Sequence, residues 1–332
     1  MVIHPWAWGI LALVAIGLVV IDFLGHARNP HPPTAAEAGR WTLFYVGLAA
    51  LFGVGIWLTN GWLYAQEFYA GWAMEWSLSV DNLFVFILIL KAFRVPRENQ
   101  QKALLFGIVI ALVLRLVFIL LGAALVARFS WVFLIFGVWL LWTAVSQVRE
   151  TARGEEEDEE YHENGFIRLV RHVLPITDGF VGNRLLYRHG GHTYLTPLAV
   201  VVLALGSADL MFAFDSIPAI FGITQQAFLV FACNVFALMG LRQLFFLVDA
   251  LLSKLVYLGY GLGVILSFIG VKLILEALHA NTLPFINGGA GVEWAPEISV
   301  SVSLGVIVVT LAVTVVASLI RTAMDEGDAR ER

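Results

Sequence analysis

The chain has 332 residues, 60% of them hydrophobic and only 14% charged, with a mean hydropathy of +0.84. No soluble domain of this length can hide so much apolar surface, so the composition points to a polytopic membrane protein. The net charge of −5 comes largely from the run Glu155 to Glu160, nothing basic and aromatic suggests nucleic acid, and the single cysteine, Cys233, rules out an intrachain disulfide framework or a cysteine-based metal cluster.

Apolar runs of about 20 residues, the length a helix needs to cross the hydrocarbon core, occur near 6–25, 41–59, 68–91, 103–127, 129–148, 195–222, 226–252, 256–279 and 298–320. They predict an all-α protein of about nine transmembrane helices. Isolated strands cannot satisfy their backbone groups in lipid, and no ten-residue alternation of barrel type is present. The first run has no positively charged lead and continues into Asp22, so it reads as a retained helix, with Asp22 and His26 as its polar end. The chain divides into two N-terminal helices (1–60), a first three-helix unit (61–148), an acidic loop (149–194), a second three-helix unit (195–280), and a last helix with its tail (281–332).

The third run holds Glu75-Trp76-Ser77-Leu78-Ser79-Val80-Asp81-Asn82, and the sixth holds Asp209-Leu210-Met211-Phe212-Ala213-Phe214-Asp215-Ser216-Ile217-Pro218. Each places two carboxylates six residues apart inside an apolar stretch, where an ionised group costs roughly 2.5–3.5 kcal/mol or more unless compensated. In an unbroken helix six residues turn through about 600°, leaving the two acids of each motif about 120° apart. An interruption would let both face one cavity, and Pro218 offers a reason for one. The fourth and seventh runs each carry an arginine, Arg115 and Arg242, and the seventh also carries Asn234. The loop contains the acidic run and His162, His172, His189 and His192, which read as solvated.

Acid pair, arginine and a following Gly-Val segment (137–138 and 263–264) recur in order, so each unit reads as three helices with an acidic first and a basic second member. Three is odd, so the two units enter the membrane from opposite sides, as inverted repeats. Lys and Arg gather on one side when the N-terminus is outside and the C-terminus cytoplasmic. The candidate ligands Glu75, Asp81, Asn82, Asp209, Asp215, Ser216 and Asn234 are all oxygen donors, which suits hard divalent cations such as Mg²⁺, Ca²⁺ and Mn²⁺. Arg115 and Arg242 balance their charge. The competing interpretation pairs Asp81 and Asp215 with Arg115 and Arg242 as structural ion pairs. No Walker loop, nucleophile elbow or HExxH appears, so the chain is not expected to be an enzyme.

The segments 75–86, 212–224, 231–242 and 268–272, and the two acidic motifs above all, resemble the TerC family of integral membrane proteins, which includes the Alx proteins. That resemblance implies a bacterial inner-membrane protein of a family named for tellurium resistance, with members associated with manganese export and metal homeostasis. It places the family's motif positions on Glu75, Asp81, Asn82, Asp209, Asp215 and Ser216, accompanied by Asn234. Two positions depart from many relatives: Trp76 stands where lysine is common, and Gly206 where a further glutamate is common. A carboxylate-rich site should repel an oxyanion such as tellurite, so a tellurium phenotype would be indirect.

The function expected is therefore a secondary transporter exporting a divalent cation, Mn²⁺ by resemblance, with no permanently bound cofactor. Its partners would be the cation, the lipid bilayer and other membrane proteins. The alternative is a membrane scaffold that supports metallation or stress responses of envelope proteins without moving ions.

Overall fold

A computed structural model describes residues 3–27, 35–129, 131–153, 167–168, 172, 174–177, 179–189, 192–248, 255–279, 286–287, 290–292 and 294–330. The side chains at 22–27, 35–36, 80–81, 84, 189, 192, 242–244, 246–248 and 325–330 lie outside the description. Expectations resting on the side chains of Asp22, His26, Asp81, His189, His192 and Arg242, and on Glu155–Glu160 and His162, therefore fall outside the described residues.

Nine long helices appear among the described residues, each overlapping one of the apolar runs: α1 (Pro5–Ala27), α2 (Ala35–Asn60), α3 (Trp62–Ala92), α4 (Arg97–Arg128), α5 (Val132–Arg153), α6 (Pro197–Phe221), α7 (Ala227–Val248), α8 (Leu258–His279) and α9 (Val300–Arg330). Six of them, α2, α4, α5, α6, α8 and α9, are long and apolar enough by length and composition to cross a membrane. Large apolar side chains face outward along them, with Leu58 76% and Val309 62% exposed. In water such a surface would aggregate; against lipid tails it is matched to its solvent.

Sequence chemistry fixes several helix ends. One residue, Gly61, separates α2 from α3, and its φ of 97° is open to glycine at little cost. Thr196 caps α6, its hydroxyl accepting from the Ala199 N–H at 3.4 Å, with Pro197 at the first helical position. Both acid-bearing helices run unbroken through their motifs. The interruption expected from Pro218 does not occur, because this proline sits in the last turn of α6, just before Gly222 closes the helix with its N–H on the Pro218 and Ala219 carbonyls.

The acidic loop holds a feature the sequence reading lacks, an antiparallel pair of β1 (Leu186–His189) and β2 (His192–Leu195), with His189 opposite His192. A Gly-Gly pair between short runs is a hairpin signal that was legible in the sequence. The Asn99 side chain donates to the Gly182 carbonyl at 3.2 Å and Lys102 donates to the Asn183 carbonyl. Thr196 reaches the Arg184 carbonyl at 2.6 Å. The segment is thereby pinned to the starts of α4 and α6.

Helices α3 to α8 form the core. The most extensive contact is α5 on α8; α3 packs on α7, and α4 on α6. Helix α1 lies against α4 and α7, α2 against α3 and α7, and α9 against α3 and α8. The α5–α8 contact rests on small residues. A methyl group on Gly137 would lie 2.7 Å from the Gly270 carbonyl oxygen and 2.6 Å from the Ile274 side chain, and one on Gly263 would collide with Val148 and approach the Ala144 carbonyl. Such close backbone approach gives helices in lipid the dispersion contact that replaces a hydrophobic driving force.

Gly137→Val should therefore lower the thermal unfolding temperature of the purified protein in detergent, by an overpacking cost of about 1–3 kcal/mol. Gly17→Val, whose added Cβ meets no atom within 4 Å, should leave it nearly unchanged.

Candidate functional site

Four helices deliver polar side chains to one point in the core. From α4, the Arg115 guanidinium, 1% exposed, donates through Nε to Asp209 Oδ2 (2.9 Å) and through Nη2 to Asp209 Oδ1 (3.1 Å), a two-pronged pair with α6. Its Nη1 donates to Glu75 Oε2 of α3 at 2.6 Å and to Asn234 Oδ1 of α7 at 2.5 Å, with Ser216 Oγ of α6 at 3.4 Å. Asn234 closes the ring, its Nδ2 donating to Glu75 Oε1 at 3.3 Å and to the Val230 carbonyl at 2.9 Å. Glu75 and Asn234 are fully buried, and Asp209 and Ser216 are each 1% exposed.

Burying one charge alone would be prohibitive; here the planar fork of arginine meets two carboxylates and an amide, so each charged atom has a partner. Two ionised carboxylates against one guanidinium leave a net charge of −1. The oxygen donors assembled are two carboxylates, one amide and one hydroxyl, a hard set. Among the described residues no group of three or more His, Cys, Asp or Glu side chains is placed to hold a metal ion.

Of the candidate residues, Glu75, Asp209, Ser216, Asn234 and Arg115 come together. Asp215 and Asn82 do not join them. With α6 unbroken, Asp215 points about 120° away from Asp209, where it accepts from Trp139 Nε1 at 2.7 Å and Thr143 Oγ1 at 3.1 Å, both on α5. It lines a cavity of about 690 Å³ shared with Asn82, Ser146, Gln147 and Glu150. The pairing of Arg115 also differs from the structural ion pair weighed from sequence: its partners are the first acid of each motif. Trp139 and Thr143 had no signal in the sequence that tied them to Asp215.

A second cavity, of about 480 Å³, lies toward the other end of the bundle and is lined by Glu67, Thr224, Gln225, Lys272, Glu276 and Glu297. Thr224 donates to Glu67 at 2.5 Å, Gln225 to Glu276 at 2.7 Å, and Lys272 to Ser303 at 3.2 Å. Glu67 and Glu276 sit near the ends of apolar runs, where a polar residue carries no signal in the sequence. Gly206, the position where a further glutamate is common, packs against Ile110, a methyl there meeting its side chain at 2.8 Å. In this chain apolar contact therefore fills the α4–α6 seam one turn from Asp209.

Removing the cation from this cluster strands two buried acids. Arg115→Met should destabilise the protein by about 3–5 kcal/mol, seen as a lower unfolding temperature in detergent. The triple variant Arg115→Met, Glu75→Gln, Asp209→Asn should recover most of that loss.

Comparison with known proteins accords with these features. The profile described as "Integral membrane protein TerC family" matches residues 60–326. An uncharacterized membrane protein of Mycobacterium tuberculosis is 46% identical over 311 residues, covering 94% of this chain and 78% of the relative. The chloroplastic thylakoid membrane protein TERC of Arabidopsis thaliana is 38% identical over 280 residues, 84% of this chain and 68% of the relative. The putative membrane-bound redox modulator Alx of Escherichia coli K12 is 34% identical over 319 residues, 93% of each chain. No solved structure matches.

Proposed function

We propose that this chain, which belongs to the TerC family of integral membrane proteins, is a secondary transporter of the bacterial inner membrane that exports a divalent metal cation, with Mn²⁺ the favoured cargo. The observation that carries the reading is the Arg115 cluster: a buried guanidinium holding one carboxylate from each of two helix triplets, α3–α5 and α6–α8. Arg115 acts as a tethered counter-ion. A divalent cation reaching the cluster competes for Glu75 and Asp209 with twice the charge of the guanidinium, and hard oxygens from Asn234 and Ser216 complete its surroundings. When the cation departs, Arg115 returns to the acids, so neither carboxylate is left bare in a low-dielectric core.

Packing supports reading the triplets as inverted repeats that make nine spans with α1, α2 and α9. Shifting Gly137 and its neighbours Gly270 and Ile274 by the 126 residues that separate the two Gly-Val segments gives Gly263, Ala144 and Val148, which touch in the same way. The crossed contacts α3 on α7 and α4 on α6 exchange under the same operation. With the N-terminus outside, as the Lys and Arg distribution favours, the cavity bearing Asp215, Asn82 and Glu150 opens toward the cytoplasm and the one bearing Glu67 opens outward. Asp81 and Arg242 belong to the proposed pathway by their place in the repeat. A thiol-based role is disfavoured, because the chain's only cysteine, Cys233, is buried with its Sγ against the Phe68 carbonyl at 3.3 Å.

Purified protein in liposomes loaded with a manganese-quenched dye should give Mn²⁺ flux, reduced at least about tenfold by Glu75→Gln or Asp209→Asn, the loss expected from one charged ligand. In manganese-loaded cells, Asp81→Asn at normal protein level should raise intracellular manganese. Wild-type protein that binds its membrane partners yet conducts no cation would instead favour the scaffold reading.

A further inference from the structure

The buried face of α3 carries an oxygen that the cluster does not use. Ser79 is 1% exposed, and its hydroxyl has no hydrogen-bond partner among the described residues. Several other helical hydroxyls in this chain satisfy themselves on the carbonyl four residues back: Thr42 on Ala38 at 2.9 Å, Thr59 on Gly55 at 2.7 Å, and Thr151 on Gln147 at 2.9 Å. Ser79 does not, and a buried polar atom left in this way carries an uncompensated desolvation penalty that calls for a reason.

Position supplies one. At about 100° per residue, Ser79 lies about 40° and Asn82 about 20° around the axis from Glu75, stepping about 6 and 10 Å along it. The three form one stripe on an unbroken helix. Glu75 ends it in the Arg115 cluster, and Asn82 ends it in the cavity of Asp215, Gln147 and Glu150. On α6, which runs the opposite way in the inverted arrangement, the corresponding positions are Asp209, Ala213 and Ser216; the middle one offers no oxygen and Ser216 belongs to the Arg115 cluster. Ser77, also unpartnered, lies about 160° from Glu75 and is off the stripe.

We propose that Ser79 is the oxygen step over which a partly dehydrated divalent cation passes between the Asp215 cavity and Glu75, so that α3 carries the access track from that side. The inference rests on the transport reading above. A cation shedding water needs replacement oxygens at short range throughout its passage, and without Ser79 the stripe would offer none between Glu75 and Asn82.

The test uses the full chain with Cys233→Ala, in liposomes containing a manganese-quenched dye. Ser79→Ala should cut Mn²⁺ flux about tenfold, the value of one lost bond to a charged species, while the unfolding temperature stays level or rises because an unpartnered hydroxyl has gone. Ser79→Thr, which keeps the oxygen, should retain most of the flux. Ser79→Cys should react with a small water-soluble methanethiosulfonate and be protected by Mn²⁺, whereas Ala213→Cys should not react. Normal flux in Ser79→Ala beside abolished flux in Glu75→Gln overturns the track and leaves transport standing, as does an unreactive Ser79→Cys in a protein that still conducts. Absence of flux in the wild type overturns both.

Discussion

Everything in the core is arranged around a guanidinium that cannot lose its proton. Arg115 has no solvent to turn to, so the helices around it must supply acceptors at fixed places, and they do so from α3, α6 and α7 together. Because the two carboxylates come from helices far apart in sequence, the cluster is also a long-range staple: α4 cannot rotate without unpairing an acid on either side. Packing of small residues elsewhere is permissive by comparison, since dispersion contacts accept many near-equivalent registers while a buried ion cluster accepts few.

Much of this was legible in the sequence because lipid is an exacting solvent. Hydropathy placed the helices, since a run of about 20 apolar residues has few alternatives in a membrane protein. The cost of intramembrane charge singled out Glu75, Asp209 and Arg115, and an isolated amide singled out Asn234. What could not be read was which acid met which cation. Sequence spacing correctly set the two acids of a motif on different faces of an ideal helix, and Pro218 then suggested a break that would bring them together. Its place in the final turn made it harmless, a matter of a few residues at a helix end that hydropathy does not resolve. The bonds from Trp139 and Thr143 to Asp215 depend on the α5–α6 approach, which no local pattern encodes.

The loop between the triplets carries a similar lesson. Its acidic run dominates the composition, yet the described order lies well downstream, where the Gly182 and Arg184 carbonyls just ahead of the β1–β2 hairpin are held by Asn99 of α4, the helix that carries Arg115, and by Thr196, the cap of α6, which carries Asp209. Net charge is a poor guide to order in a loop; short-range turn chemistry and a cap such as Thr196 say more.

The exchange-related glycine contacts along α5 and α8 bear on energetics as well as shape. If one end of this seam opens while the other shuts, the contacts broken and the contacts made are chemical near-copies, so the two poses differ little in intrinsic free energy. A balance poised in this way is tipped by a small differential affinity, since a bias of about 1.4 kcal/mol already changes a population ratio tenfold. Such a scaffold behaves like a seesaw with matched arms, leaving the direction of tilt to whatever sits on it.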